Sequence, residues 1–149
     1  THTVDMVRFL AGEINEVYAR MALTVMQDIE GLNIPDVGTV SVQFESGAVG
    51  HIDTTCIQPD HRTLVEVMGR DFRVSLDGTS LTIIDKKGTL TLSSSGNFYK
   101  DQDDAFVEAV RTGNRELILS PYEDAMKTLE VTLAANQSAA EGVPVKLQG

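Results

Sequence analysis

The chain holds one cysteine and no tryptophan among its 149 residues. A single thiol excludes an internal disulfide, and with it the small secreted scaffolds that depend on cross-links. An intracellular, reducing, cytoplasmic setting is the expectation that follows. Cys56 has no Cys or His at zinc-ligand spacing, so it reads as a small buried strand residue. Basic residues are scarce: 12 Lys and Arg stand against 22 Asp and Glu, a formal charge of -10. Nucleic acid and anionic membrane surfaces require a basic patch, so neither is expected as a partner. No apolar run reaches the ~18 residues of a membrane span, and no signal peptide is visible. Three tyrosines are too few for the aromatic platforms of a carbohydrate-binding module. No G-x-G-x-x-G loop, Walker pattern, G-x-S-x-G elbow or metal-ligand spacing occurs, and no internal repeat is evident. The length fits one domain, residues 1–149. The chain opens on Thr1 rather than Met, so a processed, trimmed or fragmentary start is expected.

What is present is organised around Val37 to Ser94, a series of short segments with period-two hydrophobicity. Val40, Val42 and Phe44 alternate with Thr39, Ser41 and Gln43, which puts the two sets on opposite faces of a strand. Ala48 to Ile57, Thr63 to Val67, Phe72 to Leu76, Leu81 to Ile83 and Leu90 to Leu92 continue the series, with Gly-containing turns between them. Loops this short pair strands antiparallel, because a parallel crossover needs about a dozen residues or more. Ahead of the series, Thr1 to Ala11 reads as a short helix with Val4, Val7 and Leu10 on one stripe and Gly12 as the stop. Ile14 to Leu23 is a strand, followed by an exposed connection from Met26 to Pro35. After the series come a helix at Asp101–Thr112 and another at Pro121–Glu141. In the latter Ser120, Pro121 and Glu123 set the start, and Tyr122, Ala125, Met126, Leu129 and Leu133 set the stripe. Val143 to Leu147 closes the chain as an edge strand marked by Pro144. The whole reads as α+β: a mainly antiparallel open sheet covered on one face by helices.

Few residues suggest chemistry by themselves. His51 and Asp53 share one face of a strand, and a His beside a carboxylate can do general-base work; a solvated strand face explains them as well. His61 falls in a loop, and Lys86 and Lys87 blunt a hairpin edge. Asp101, Asp103 and Asp104 crowd a helix start, where the dipole favours negative charge. His2 and Asp5, three apart, can lie on one face of the first helical turn.

The order of segments adds to this. HTVDMVRFLAG at His2–Gly12 resembles the H-x-x-D-x-x-x-x-l-x-G segment of the Gfo/Idh/MocA oxidoreductases. VSVQFESGAVGHIDTT resembles that family's strand-turn-strand, and VEVMGRDFRVSLDG its later hairpin, with Phe72 where a second glycine is common. SPYEDAMKTLEVTLAANQSAAEGVPVKL is similar to its final helix and closing strand. The resemblance covers almost the whole chain.

It implies a C-terminal substrate-binding and oligomerisation domain of the dihydrodipicolinate-reductase-like or glyceraldehyde-3-phosphate-dehydrogenase-like kind. The N-terminal Rossmann domain, with its Gly-rich loop and its E-K-P lysine, is expected outside this chain. NAD or NADP would be bound there in the full-length enzyme, and the fragment alone is expected to be inactive, with no cofactor-binding residue and no metal ligand of its own. The resemblance implies hydride transfer between the nicotinamide and a polyol, sugar or related hydroxy compound. His2 would be catalytic and exchange the hydroxyl proton, and Asp5 would bind substrate. A homodimer or tetramer through the open sheet face is the implied assembly. The alternative is a non-catalytic sheet domain serving oligomerisation or ligand binding.

Overall fold

The computed structural model describes residues 1–147. The elements in chain order are α1 (His2–Ala11), β1 (Ile14–Ala22), β2 (Val37–Phe44), β3 (Val49–Thr55), β4 (Leu64–Gly69), β5 (Phe72–Asp77), β6 (Ser80–Asp85), β7 (Gly88–Ser93), α2 (Phe98–Thr112), a 3-10 turn at Arg115–Leu117, α3 (Tyr122–Glu141) and β8 (Val145–Lys146). They form two compact units. Of the described residues, 1–60 with 122–147 make the first, and 61–121 the second.

All pairings in both units are antiparallel. The strands divide into two four-stranded sheets, ordered β3-β2-β1-β8 and β4-β5-β6-β7, where the sequence suggested one meander. The division falls in the stretch that contains Pro59, a residue with no N–H to give to a ladder. In the second unit the strands follow one another in chain order. The Asp77-Gly78 corner turns as its sequence suggests, with Gly78 at φ 57°.

The first unit holds the core. Val40, Val42 and Phe44 point inward from β2 as their alternation requires, and meet Ile14, Val17 and Ala19 of β1 and Ile52 of β3. α3 closes this face with Val131, Ala134 and Ala135. Each fully buried aliphatic side chain stabilises the fold by roughly 1.5–3 kcal/mol. α1 adds Val4, Val7 and Ala11. Its stripe therefore follows the 3.6-residue period, and Leu10, expected on it, is exposed.

The stripe expected on α3 is also displaced. Tyr122, Met126, Leu129 and Leu133 are exposed, and the buried face is Thr128, Val131, Ala134, Ala135 and Ser138. Close approach to β1 admits only small side chains, and both buried hydroxyls have partners, so shape overrides hydrophobicity here. α2 begins at Phe98, ahead of Asp101, because the Asn97 side chain caps it by accepting from the Lys100 N–H at 3.1 Å. Its apolar residues Phe106, Val107 and Val110 are exposed, and Ala109 is its buried residue. Cys56 is exposed rather than buried. It lies just past the end of β3, an outer strand, while α3 packs over β1 and β8 at the other side of the sheet.

Candidate functional site

α1 and the first half of α3 meet around one buried cation. Arg8 is 6% exposed. Its Nε and Nη2 donate to the two carboxylate oxygens of Glu13, each at 3.0 Å. Nη2 also donates to Asp124 Oδ1 at 2.9 Å, and Nη1 to the Asp124 carbonyl at 3.1 Å and to Thr128 Oγ1 at 2.7 Å. The planar guanidinium suits this geometry, because its five N–H donors form a rigid fork. Lys127 Nζ reaches Glu13 from α3 at 3.2 Å. Burial disfavours the charged guanidinium, yet the hydrogen bonds to Glu13 and Asp124 outweigh it and the Arg8 pKa is raised. The bond from Arg8 holds the Glu13 carboxyl below its ordinary value, against the opposing effect of burial.

His2 and Asp5 stand at the start of this arrangement. His2 is the first residue of α1 and is exposed. Asp5, one turn later, is half-exposed; its Oδ1 accepts from Thr128 Oγ1 at 2.8 Å and lies 4.0 Å from Arg8 Nη1. The Asp5 backbone N–H donates to the Thr1 carbonyl at 2.9 Å, which closes the first turn beneath His2. An exposed imidazole on a fixed helix start can take up and return a proton, and the carboxylate one turn away can accept a hydrogen bond from a hydroxyl.

Sequence reasoning singled out His2 and Asp5 and missed Arg8, Glu13, Asp124 and Thr128. One signal was available: Arg8 continues the spacing of His2 and Asp5 on a helix whose neighbouring positions are apolar.

The other candidates do not join this site. His51 Nε2 and Asp53 Oδ2 are 3.5 Å apart, both well exposed on β3. Their register partners on β2 are Ser41 and Thr39, so the pair belongs to a solvated strand face. His61 is exposed. Lys100 pairs with Asp104 along α2. Among the described residues, no group of three or more His, Cys, Asp or Glu could hold a metal ion.

A dinucleotide cofactor needs a helix N-terminus free to receive its pyrophosphate. The β7–α2 connection leads from strand to helix, but Asn97 already occupies the cap, and Asp101, Asp103 and Asp104 set negative charge in its opening turns. The residues at that helix start do not fit such a group.

A second carboxylate organises the β1–β2 connection. Asp36 is 2% exposed. It accepts from the backbone N–H groups of Thr24, Val25 and Met26 at 2.7–3.1 Å and from the Thr24 hydroxyl at 3.2 Å. Burial alone would raise its pKa; the donors outweigh it and lower the value to about 2.

The family model described as GFO/IDH/MocA C-terminal domain matches residues 1–84. An uncharacterized oxidoreductase, YrbE, of Bacillus subtilis is 29% identical over 161 positions, covering 99% of this chain and 46% of the relative. Myo-inositol 2-dehydrogenase of Thermotoga maritima is 28% identical over 161 positions, covering 99% and 47%. The chain thus spans about half the length of the curated relatives it matches. Among solved structures, a levoglucosan dehydrogenase in complex with NADH and levoglucosan superposes with a TM-score of 0.85 at 18% identity, over 99% of this chain and 48% of that one.

Proposed function

The chain belongs to the GFO/IDH/MocA C-terminal domain family, and from that membership we propose that the protein carrying it is an NAD(P)-dependent dehydrogenase acting on a polyol, sugar or related hydroxy compound. Residues 1–149 serve in this reading as one substrate-binding and oligomerisation domain. The observation that carries it is His2, exposed at the first residue of a helix whose later turns are locked to α3 by Arg8. A relative that acts on myo-inositol and a structural neighbour that holds levoglucosan support a polyhydroxylated substrate.

The chemistry asked of this chain is proton handling and orientation. Oxidation of a carbinol to a carbonyl releases the hydroxyl proton, and the His2 imidazole accepts it; in reduction the same ring returns it. Asp5 accepts a hydrogen bond from a neighbouring hydroxyl and sets which carbon is presented. The nicotinamide that takes or gives the hydride is assigned to residues beyond this chain.

The test is an assay of the full-length protein with inositols, aldoses and anhydrosugars, each with NAD or NADP, read as reduced nicotinamide. Turnover of at least one polyol is expected, and none from residues 1–149 alone. A folded full-length protein that oxidises nothing in the panel with either cofactor contradicts the reading.

A second copy of this chain is the proposed partner, through the sheet face that the helices leave uncovered. Val49 on that face is exposed, and Ile57, past the end of β3 in the same unit, is partly so. A two-fold, self-complementary contact is the default geometry for such a pairing.

A further inference from the structure

Thr128 lies on α3, 6% exposed, with its hydroxyl between two residues of α1. Arg8 Nη1 donates to Thr128 Oγ1 at 2.7 Å. A guanidinium has no acceptor, so the hydroxyl must accept here and keeps its one proton for another direction. A helical threonine would ordinarily turn that proton to the carbonyl four residues back. That carbonyl belongs to Asp124 and already receives Arg8 Nη1 at 3.1 Å. The proton goes to Asp5 Oδ1, 2.8 Å away. A cation behind and a carboxylate in front thus set the sense of the whole relay. Asp5 is pinned by one oxygen, its side chain stays 47% exposed, and among the described residues its Oδ2 has no hydrogen-bond donor.

We propose that Thr128 is a positioning residue for substrate: its hydroxyl holds Oδ1 of Asp5 so that Oδ2 is presented to a substrate hydroxyl. This rests on the reading of Asp5 as a substrate-binding residue and adds to it the chemistry of the group received. A carboxylate held as an acceptor takes an O–H donor and repels a phosphate or carboxylate. The substrate is therefore neutral and hydroxylated where it meets Asp5. Arg8 supports the relay from the far side and does not reach substrate in this scheme.

The experiment uses the full-length protein and the neutral polyol that it turns over best. Thr128→Val keeps the shape and removes the hydroxyl; Thr128→Ser keeps the hydroxyl. Thr128→Val should raise KM about tenfold with kcat changed less than about threefold, the scale of one hydrogen bond to a charged group. Thr128→Ser should stay within about twofold of wild type in both, as one retained hydrogen bond predicts. In an Asp5→Asn background Thr128→Val should add little, because the acceptor oxygen that Thr128 would present to substrate is already gone. A wild-type KM in Thr128→Val overturns the proposal even if the melting temperature falls, since that leaves Thr128 a packing role alone. If Thr128→Val does not fold, the half-exposed Asp5→Asn decides: KM must rise with kcat largely kept, and an unchanged KM overturns the proposal. A wild-type protein inactive across the polyol panel removes the enzymatic reading and this proposal together. An active wild type with an unaffected Thr128→Val removes only the relay.

Discussion

Asp36 is one carboxylate that holds a whole connection. Three consecutive N–H groups and a hydroxyl converge on it, so its charged form is favoured in spite of burial. Its folded pKa lies below the unfolded value of 3.8, at about 2. The stability it contributes is therefore complete above about pH 4 and is lost as pH falls through about 2. In Asp36→Asn one side of the group becomes an N–H donor facing N–H donors. We expect the variant to melt below wild type at neutral pH, with the gap narrowing as pH falls from about 4 to about 2. A gap that is constant with pH in thermal melts would reject this account of Asp36. The same residue marks a limit of the sequence. Gly31, Asn33 and Pro35 announced the connection, but nothing local distinguishes the aspartate after it from a surface one. The donors lie 10–12 positions earlier and converge only in the fold. His2 and Asp5 were singled out because their spacing resembles a family segment. Arg8 and Thr128 were not, because they meet across 120 positions of sequence.

At the scale of elements, α3 is joined to the first sheet by Ser138. Among the described residues, β8 pairs with β1 in register at Glu16 with Lys146 and Val17 with Val145. Two residues further along, the same register would bring Ala19 opposite Val143, but Pro144 intervenes. Ser138 bridges the gap. Its hydroxyl accepts from the Ala19 N–H at 3.0 Å and donates to the Val143 carbonyl at 2.6 Å. Ser138→Ala should cost about 1–3 kcal/mol in denaturant unfolding, the penalty of a buried N–H left without a partner. A loss under about 0.5 kcal/mol, the range of an ordinary surface change, would show that water or relaxation satisfies Ala19 instead. α1 depends on α3 in a comparable way. Arg8→Met should destabilise by about 2 kcal/mol, less than for a fully buried pair because Glu13 and Asp124 are partly open to water. Unfolding curves that overlay wild type would remove Arg8 as the clamp. These elements were largely legible from periodicity and caps, and Gly142 takes the left-handed conformation expected past α3, at φ 73°. The buried face of α3 was not legible. Its small and hydroxyl residues are selected by closeness to β1, while hydrophobicity pointed to the stripe of Tyr122, Met126, Leu129 and Leu133.

At the scale of the whole molecule, the antiparallel α+β class followed from loop lengths and alternation. The division into two sheets did not, because it depends on whether two strands near Pro59 pair across space. Self-association is proposed here through the uncovered sheet face of the first unit, and sedimentation equilibrium should show dimer or tetramer at high micromolar concentration. A monomer throughout that range would count against it. We propose that this chain supplies the proton-handling end of a dehydrogenase site through His2. The most direct measurement is the pH dependence of kcat for wild type and His2→Ala in the full-length protein. The account predicts a fall in kcat of roughly 100-fold or more, the scale of a lost general base, with cofactor affinity nearly unchanged. A His2→Ala protein with wild-type kcat from about pH 6 to about pH 9 would contradict it.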